Sequence, residues 1–443
     1  MPDKLSDEIL QPVRGARDFF GPEKAKRDKV LEIMKDNFKL YGYEPLETPA
    51  LERMEVLTSK YAGGDEILKE VFKVRDQGNR ELGLRYDLTV PLCRFIASNT
   101  RMPMPLKRYA IAPVWRDGPL KAGRYREFCQ CDADIVGAAG MIADAEILKL
   151  AFDIFQQLFP GNFTIKVNNR KILDGILEYA GVGKENWLKA ILIIDKLGKI
   201  GEAEVGRELE AAGIAKTAAE KIMKALSIKG ENAEVIGKLG QMLDSAIAKE
   251  GLAEVLQLME FASEFECDSV QFEPSLARGL NYYTSSIFEA YLRKGSIASS
   301  IAAGGRYDDL IGRFAGGKGL IPAVGISFGL DVICEALRES DRAKAESAKG
   351  VFVAYIPKAG DAKEMKFAMK VANMLRRAGI PAYFDLLSRS VSKNLEFAGK
   401  KGFAFAAIIG EKEVGKKSIQ LKNLVTGKES LLSIEEAIMQ INS

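Results

Sequence analysis

The segment Cys129-Gln130-Cys131-Asp132-Ala133-Asp134-Ile135 sets an amide and two carboxylates at alternate positions. On a strand, alternate side chains point to opposite faces. Gln130, Asp132 and Asp134 then share one face, and Cys129, Cys131, Ala133 and Ile135 share the other. Carboxylates are rarely buried without partners, so the acidic face reads either as a pocket for a cationic or hydrogen-bonding ligand or as a solvated sheet face. The Cys pair is a poor zinc signal, because C-x-C has no second Cys pair and no His to complete a ligand set. No metal held by the protein's own side chains is expected.

Upstream, Lys107, Arg108, Arg116, Lys121, Arg124 and Arg126 place six cations within twenty residues. A hairpin with Asp117, Gly118, Pro119 and Gly123 in its loop would gather some of them at its mouth, where guanidinium forks suit phosphates. A triphosphate or nucleic-acid site and a plain surface charge run both fit that pattern.

Two later segments carry further candidates. In 277–284, Arg278 stands beside Gly279, and Tyr282 and Tyr283 follow; buried tyrosines need a partner for the hydroxyl and can orient a ligand. In 302–308, Gly304 and Gly305 precede Arg306 and Tyr307, a place where backbone could approach a planar ligand closely. No GxxxxGK[ST] loop and no strand-linked GxGxxG occurs, so neither common nucleotide cradle is present.

One composition entry limits the chemistry: His is absent. That removes His-assisted Ser or Cys nucleophiles, HExxH-type zinc sites and a histidine pH switch. Catalysis must use carboxylates, Arg, Lys, Tyr, Cys or positioning alone.

Several elements must hold these residues in place. Pro22 opens a helix that ends near Gly42, with Val30, Ile33, Met34, Phe38 and Leu40 as its apolar stripe. Strand-like runs follow at 85–92, 109–115 and 128–136, then a helix near 142–158 and a strand FTIKVNN. From 169 to about 266 nearly everything has helical period, before strand character resumes at DSVQFEP, TSSIFEAYL and ASSIAAGGRYDDL. The apolar stripes of this block require burial, so it reads as a domain inserted into a sheet that closes around it. After a small, charged stretch at 340–349, the chain alternates β/α/β/α/β, which predicts a small α/β domain with a mainly parallel sheet.

The size allows two or three domains: 443 residues, 47% of them apolar. No apolar run approaches the roughly 20 residues that cross a bilayer. The amino terminus lacks the apolar core of a secretory signal, and five Cys show no framework spacing. A soluble protein of the reducing cytoplasm is expected. Residues 350–443 hold 15 Lys plus Arg against 9 Asp plus Glu, a net +6, which leaves −3 on residues 1–349. A basic terminal module suits a polyanionic partner, although charge alone fits a solvated surface equally well.

Taken together, the motifs resemble those of the histidyl-tRNA synthetases, a family of class II aminoacyl-tRNA synthetases, over nearly the whole chain. They are GARDF at 15–19, YEPLETPALE at 43–52 with Pro49 at the motif 1 position, and LRYDLTVPL at 84–92. Motif 2 corresponds to KRYAIAPVWRDGPLKAGRYREFCQCDADIVG at 107–137, and the two histidine-specific signatures to RGLNYYT at 278–284 and AAGGRYDDL at 302–310.

The resemblance implies an α+β fold: a class II antiparallel sheet with flanking helices in 1–169 and 267–339, a helical insertion at 170–266 that embraces the acceptor arm, a linker at 340–349 and an anticodon-binding domain at 350–443. It implies ATP-dependent attachment of L-histidine to tRNA(His) through an adenylate, with Mg²⁺, by a homodimer built on motif 1. Asp87, Thr89 and Gln130 would hold the α-amino group of histidine, and Asp134 and Tyr283, with Tyr282 alongside, the imidazole. Arg116 would bind the α-phosphate of ATP, Arg278 would lie near the carboxylate and α-phosphate, and Arg124 would help place the phosphates. Gly304, Gly305 and Tyr307 would border the site.

Three positions depart from the family pattern. Val332, in GISFGLDVI, replaces the motif 3 Arg that meets the γ-phosphate; Asn281 stands where Asp is common; Asp117-Gly118 replaces a more acidic pattern. A second reading is therefore a non-catalytic regulatory paralogue of the kind that partners ATP phosphoribosyltransferase, although such paralogues generally lack the terminal tRNA module. A third is an RNA-binding protein that kept the fold and lost ATP chemistry.

Overall fold

The computed structural model describes residues 6, 8–59, 68–120, 125–278, 282–317, 319–339, 350–356 and 362–442. Lys121, Arg124, Asn281 and the stretch 340–349 lie outside the described residues. Two compact units result, Met1–Ala343 and Lys344–Ser443.

The first unit is organised by an eight-stranded sheet. Its strands are β1 (Glu44–Pro45), β5 (Leu106–Trp115), β6 (Glu127–Val136), β7 (Phe163–Asn169), β8 (Val270–Phe272), β9 (Ser286–Leu292), β10 (Ala302–Arg306) and β11 (Ala323–Gly329). They lie in the order β1-β5-β6-β11-β10-β9-β7-β8. The pairs from β5 to β7 are antiparallel, and the edge pairs β1·β5 and β7·β8 are parallel. A separate three-stranded sheet is formed by β2 (Leu51–Arg53), β3 (Lys73–Arg75) and β4 (Glu81–Leu84) in the order β2-β4-β3.

Period-two alternation sets the two faces of the large sheet. Cys131, Ala133 and Ile135 of β6 and Val324, Ile326 and Phe328 of β11 pack with Val30, Met34 and Phe38 of the helix Pro22–Leu40 and Ile147, Leu148 and Ile154 of the helix Met141–Leu158. That first helix has Pro near its start, where the missing N–H forfeits no bond. The sheet does close around the helical excursion, since β7 precedes it and pairs with β8 and β9, which follow it. The excursion has no core of its own: Ile172, Ile176, Ile222 and Leu239 belong to one cluster with Tyr282, Tyr283, Tyr307 and Leu310.

Two expectations need correction. The strand anticipated at 85–92 is not there; β4 ends at Leu84 and Thr89–Ser98 is a helix. The cause is local, because Asp87 Oδ1 accepts the amide of Val90 at 3.1 Å and Pro91 falls in the first turn, two helix-start features that alternation conceals. In the second unit, β12 (Val351–Tyr355), β13 (Ala382–Phe384) and β14 (Phe405–Ile409) are parallel, as expected of the β/α/β/α/β run. The sheet as a whole is mixed, because β15 (Ser418–Asn423) and β16 (Glu429–Ser433) extend it antiparallel in the order β13-β12-β14-β15-β16. A connection of five residues can only join antiparallel neighbours. Here Asn423 nucleates the turn, its side chain accepting the amides of Val425 and Thr426 at 2.9 Å each.

One buried ion pair ties the long helix Met141–Leu158 to the sheet. Arg306, at the end of β10, donates Nε to Asp144 Oδ2 at 3.1 Å and Nη1 and Nη2 to the carbonyls of Ala138 and Gly140 at 2.9 and 3.2 Å. Ser286 donates to the same carboxylate. Removing one partner of such a pair leaves an uncompensated buried charge. Arg306→Met is therefore expected to lower unfolding free energy by about 3–5 kcal/mol in urea titrations, and Arg306→Lys to recover little of it, because Lys cannot reproduce the fork.

Candidate active site

On the sheet face opposite the aliphatic core lies a cavity of about 170 Å³. Tyr86, Asp87 and Thr89 reach it from the turn and helix start after β4, Arg116 from the end of β5, and Gln130, Asp132 and Asp134 from β6. Ser327 reaches it from β11, Arg278, Tyr282 and Tyr283 from the segment before β9, and Gly304, Gly305 and Tyr307 from β10 and beyond. Every residue to which the resemblance gives a substrate-binding role meets here except Arg124, which falls outside the described residues.

The register explains how the acidic wall is held. Arg108 of β5 stands opposite Asp134 of β6, which stands opposite Gly325 of β11, itself opposite Gly305 of β10. Arg108 is 1% exposed, and its Nη2 lies 2.8 Å from Asp134 Oδ2. Tyr307 donates its hydroxyl to Asp134 Oδ1, so both oxygens of this carboxylate are engaged. A Cβ at position 325 would sit 1.9 Å from Asp134 Oδ1, which is why the facing residue is Gly. Gly304 is constrained similarly: its Cβ would lie 2.1 Å from the carbonyl oxygen of Gly325 and 2.5 Å from the Phe288 ring. Close packing between strands therefore requires this glycine, beyond any ligand it borders.

Gln130 Nε2 donates to Ser327 Oγ at 2.6 Å. Arg116 donates Nε to the carbonyl of Tyr86 at 3.0 Å and lies over Phe128, 5.1 Å from the ring centre. Arg278 donates to Glu289 Oε1 at 3.0 Å and sits 5.7 Å from the centre of the Tyr283 ring, itself 4.8 Å from the Tyr282 ring. Of the six cations around the β5–β6 hairpin, Lys107 is bound to Glu146 and the Tyr41 carbonyl, Arg108 to Asp134, and Arg126 to Asp117. Among the described ones, only Arg116 lines the cavity; Lys107 and Arg108 brace the sheet, and Arg126 pairs within the connecting loop.

Burial governs the electrostatics. It pushes Asp87 up to about 6, opposed by the Val90 amide and then by Arg116 and Arg108. It pushes Asp132 up to about 7, opposed chiefly by Arg108 and reinforced by Asp134. Asp134 is also raised by burial, with Arg108 and the Tyr307 hydroxyl pulling the other way. Arg278 is raised: burial opposes its charge, but Tyr283, Glu289 and Tyr282 outweigh it. A cavity with anionic acceptors at Asp87 and Asp132 and guanidiniums at Arg116 and Arg278 can hold a zwitterion beside a phosphate.

Sequence reasoning missed Ser327, the Arg108 pairing and Glu289 as the partner of Arg278. The first two follow from strand register, which the sequence leaves open until the hairpin turns are known. Glu289 sits on a strand with no motif around it.

The architecture, a large antiparallel sheet carrying this cavity beside a separate basic α/β unit, is that of an amino-acid-activating synthetase with an RNA-reading module. The solved histidyl-tRNA synthetase from Nostoc sp. PCC 7120 superposes with a TM-score of 0.84 at 30% identity, covering 99% of each chain. Residues 15–333 match the family model described as histidyl-tRNA synthetase, and residues 351–443 the one described as anticodon binding domain. Among curated relatives, histidine–tRNA ligase 2 of Shouchella clausii is 39% identical over 95% of this chain and 97% of its own. Histidine–tRNA ligase 1 of Bacillus anthracis is 38% identical with the same coverages. The chain belongs to the histidyl-tRNA synthetase family.

Raised carboxylates make stability fall as pH rises. Asp87 and Asp132 bind protons more tightly folded, at about 6 and about 7, than unfolded, near 3.9. Between those limits the folded state holds more protons, so its stability declines with increasing pH and levels off above about pH 7. The melting temperature of the ligand-free protein is expected to rise as pH is lowered from 8 to 5.5, and Asp132→Asn to flatten that slope in differential scanning fluorimetry.

Proposed function

We propose that this chain joins L-histidine to tRNA(His) in two steps, with ATP as the activating substrate. The observation that carries the reading is the polarity of the cavity, with acceptors at Asp87, Gln130 and Asp132 and guanidiniums at Arg116 and Arg278. In the first step a carboxylate oxygen of histidine attacks the α-phosphorus in line. The bond from that phosphorus to the bridging oxygen breaks, giving histidyl-adenylate and pyrophosphate. The nucleophile is already ionised, so no general base is needed, which suits a chain without His. Arg278 orients the carboxylate and Arg116 neutralises charge growing on the α-phosphate, both held rigidly before substrate arrives. In the second step a ribose hydroxyl of the tRNA terminus attacks the acyl carbon, AMP leaves, and a phosphate oxygen of the adenylate takes the hydroxyl proton.

Asp87, Thr89 and Gln130 are assigned to the α-amino group. The imidazole falls to Tyr283, Tyr282 and the Asp134–Tyr307 pair, whose hydrogen bond can be relayed to a ring nitrogen. Neutral imidazole offers one donor and one acceptor, and a competitor lacking them would leave buried groups unpaired, a penalty of about 10⁴-fold in discrimination. Gly304 and Gly305 border the nucleotide side. Among the described residues no three Asp, Glu or Cys side chains form a metal-holding group; Mg²⁺ is assigned to the substrate, as Mg·ATP, and no step is routed through it. Val332 packs against the sheet–helix core and offers no charge to the γ-phosphate, so that contact is left without a residue.

The basic unit, matched to an anticodon binding domain, is assigned to the anticodon, and the helical segment 170–266 to the acceptor arm. The presence of that unit favours the synthetase over a regulatory paralogue of ATP phosphoribosyltransferase. We assign a homodimer built on the motif 1 segment 43–52, which sedimentation equilibrium would report as a mass of two chains. The cytoplasm is the assigned compartment, in keeping with five free cysteines and no described helix long and apolar enough to cross a membrane; cell fractionation tests it.

Histidine-dependent ATP–pyrophosphate exchange, followed by aminoacylation of tRNA(His), is the decisive experiment. Exchange without histidine dependence, or none at all, would sink the reading. Arg116→Ala and Arg278→Ala are each expected to lower kcat for exchange by about 10²- to 10³-fold, the range for losing one preorganised donor.

A further inference from the structure

Two buried acceptors of β6 that face the cavity have no hydrogen-bond partner among the described residues. Asp132 is 2% exposed and lines the cavity, yet its Oδ1 has no hydrogen-bond partner among the described residues. Gln130, the next residue on the same face, is buried with its amide nitrogen on Ser327 and its Oε1 likewise without a partner. Asp134 differs in having a close cation: its Oδ1 accepts the Tyr307 hydroxyl, and its Oδ2, though without an aligned hydrogen bond, is ion-paired with Arg108 at 2.8 Å. The charged groups around Asp132 are Arg108 on β5, Asp134 on its own strand and Asp87 from the turn after β4. Asp132 and Gln130 thus turn two buried, open oxygens into a cavity whose guanidiniums, Arg116 and Arg278, are anchored to other groups, and a donor-bearing cation entering the cavity would satisfy both.

Resting on the histidine-binding reading above, we propose that Asp132 is a second anionic anchor for the substrate's α-ammonium group, acting with Asp87 and the Gln130 carbonyl, while Asp134 is a positioning residue locked into the sheet. An ammonium brings three donors and a full charge, which matches two carboxylates and an amide oxygen. Neutral imidazole, with one donor and one acceptor, cannot satisfy that set.

The test compares two ligands that differ only in the amino group: histidinol and its des-amino analogue, imidazole-propanol. Titration calorimetry on the full-length protein measures both, for wild type and for Asp132→Asn. The wild type is expected to favour histidinol by at least about 30-fold, in line with a charge-assisted hydrogen bond in a buried site. Asp132→Asn is expected to shrink that preference to about 3-fold or less while binding the des-amino analogue as before. A preference that survives the substitution, whether both ligands weaken alike or neither changes, overturns the proposal. Asp132→Ser, also neutral but smaller, gives the same contrast if the Asn variant does not fold, and melting curves establish which variants are native. Because the ligands are measured by direct binding, a wild type that binds both but fails the exchange assay counts against the synthetase reading and leaves this contrast intact.

Discussion

A cluster of carboxylates kept from water with too few cations is the constraint on which the cavity depends. Desolvating Asp87, Asp132 and Asp134 is costly, and Arg108 is the one fully buried guanidinium set among them. Its ion pair with Asp134 bridges β5 and β6, and the Tyr307 hydroxyl closes the other side of the same carboxylate. Asp87 and Asp132 are compensated only in part, and burial lifts their proton affinities toward neutrality. The protein tolerates this because the surrounding sheet is held by unrelated contacts, such as the Arg306–Asp144 pin and the aromatic packing of Phe38, Phe155 and Phe328. Instability confined to a binding wall is recovered when a ligand of the right charge arrives.

The opposite end of the cavity is built on a different principle. Arg278 is buried, but Glu289 and the ring of Tyr283, with the tilted ring of Tyr282 next to it, lie beside it, so its charge is favoured. Arg116 is anchored through a backbone carbonyl and an aromatic face at the rim of the same cavity. One wall is thus under-compensated and the other supplies held cations. A substrate that is itself a zwitterion and must approach a polyphosphate finds both its charges met without moving either wall.

Much of this was legible in the residues. The two faces of 129–135 follow from period two alone, and Cys131, Ala133 and Ile135 lie in the core as that period requires. The cavity candidates converge because the motifs carrying them sit at the same level of neighbouring strands. Cross-strand partnership was hidden: nothing near Arg108 announces that it stands opposite Asp134, and a charge run read along the chain looks like a phosphate site when part of it braces the sheet. The turn at Asp87 reads as strand because Arg85, Asp87 and Thr89 alternate with Tyr86, Leu88 and Val90 as a strand would, and the local bond from the Val90 amide to the carboxylate leaves no mark on that alternation. β15 and β16 escaped notice because SIQLKN and ESLLS are short and half polar, and their pairing depends on a turn around Asn423.

The manner in which the helical excursion is attached has its own consequence. The chain leaves the sheet at the end of β7 and comes back as β8, the outermost strand, lying parallel and adjacent to β7. Exit and return therefore use neighbouring strands at one margin, at opposite ends of a parallel pair, far in strand order from β5, β6 and β11, where the acidic row is set. A lobe suspended from two neighbouring marginal strands can vary in its outer helices while the register of β5, β6 and β11 stays fixed, so long as the face that packs with Tyr282, Tyr283 and Tyr307 is kept. Changes in length would accordingly be tolerated on the side of the lobe turned away from those tyrosines.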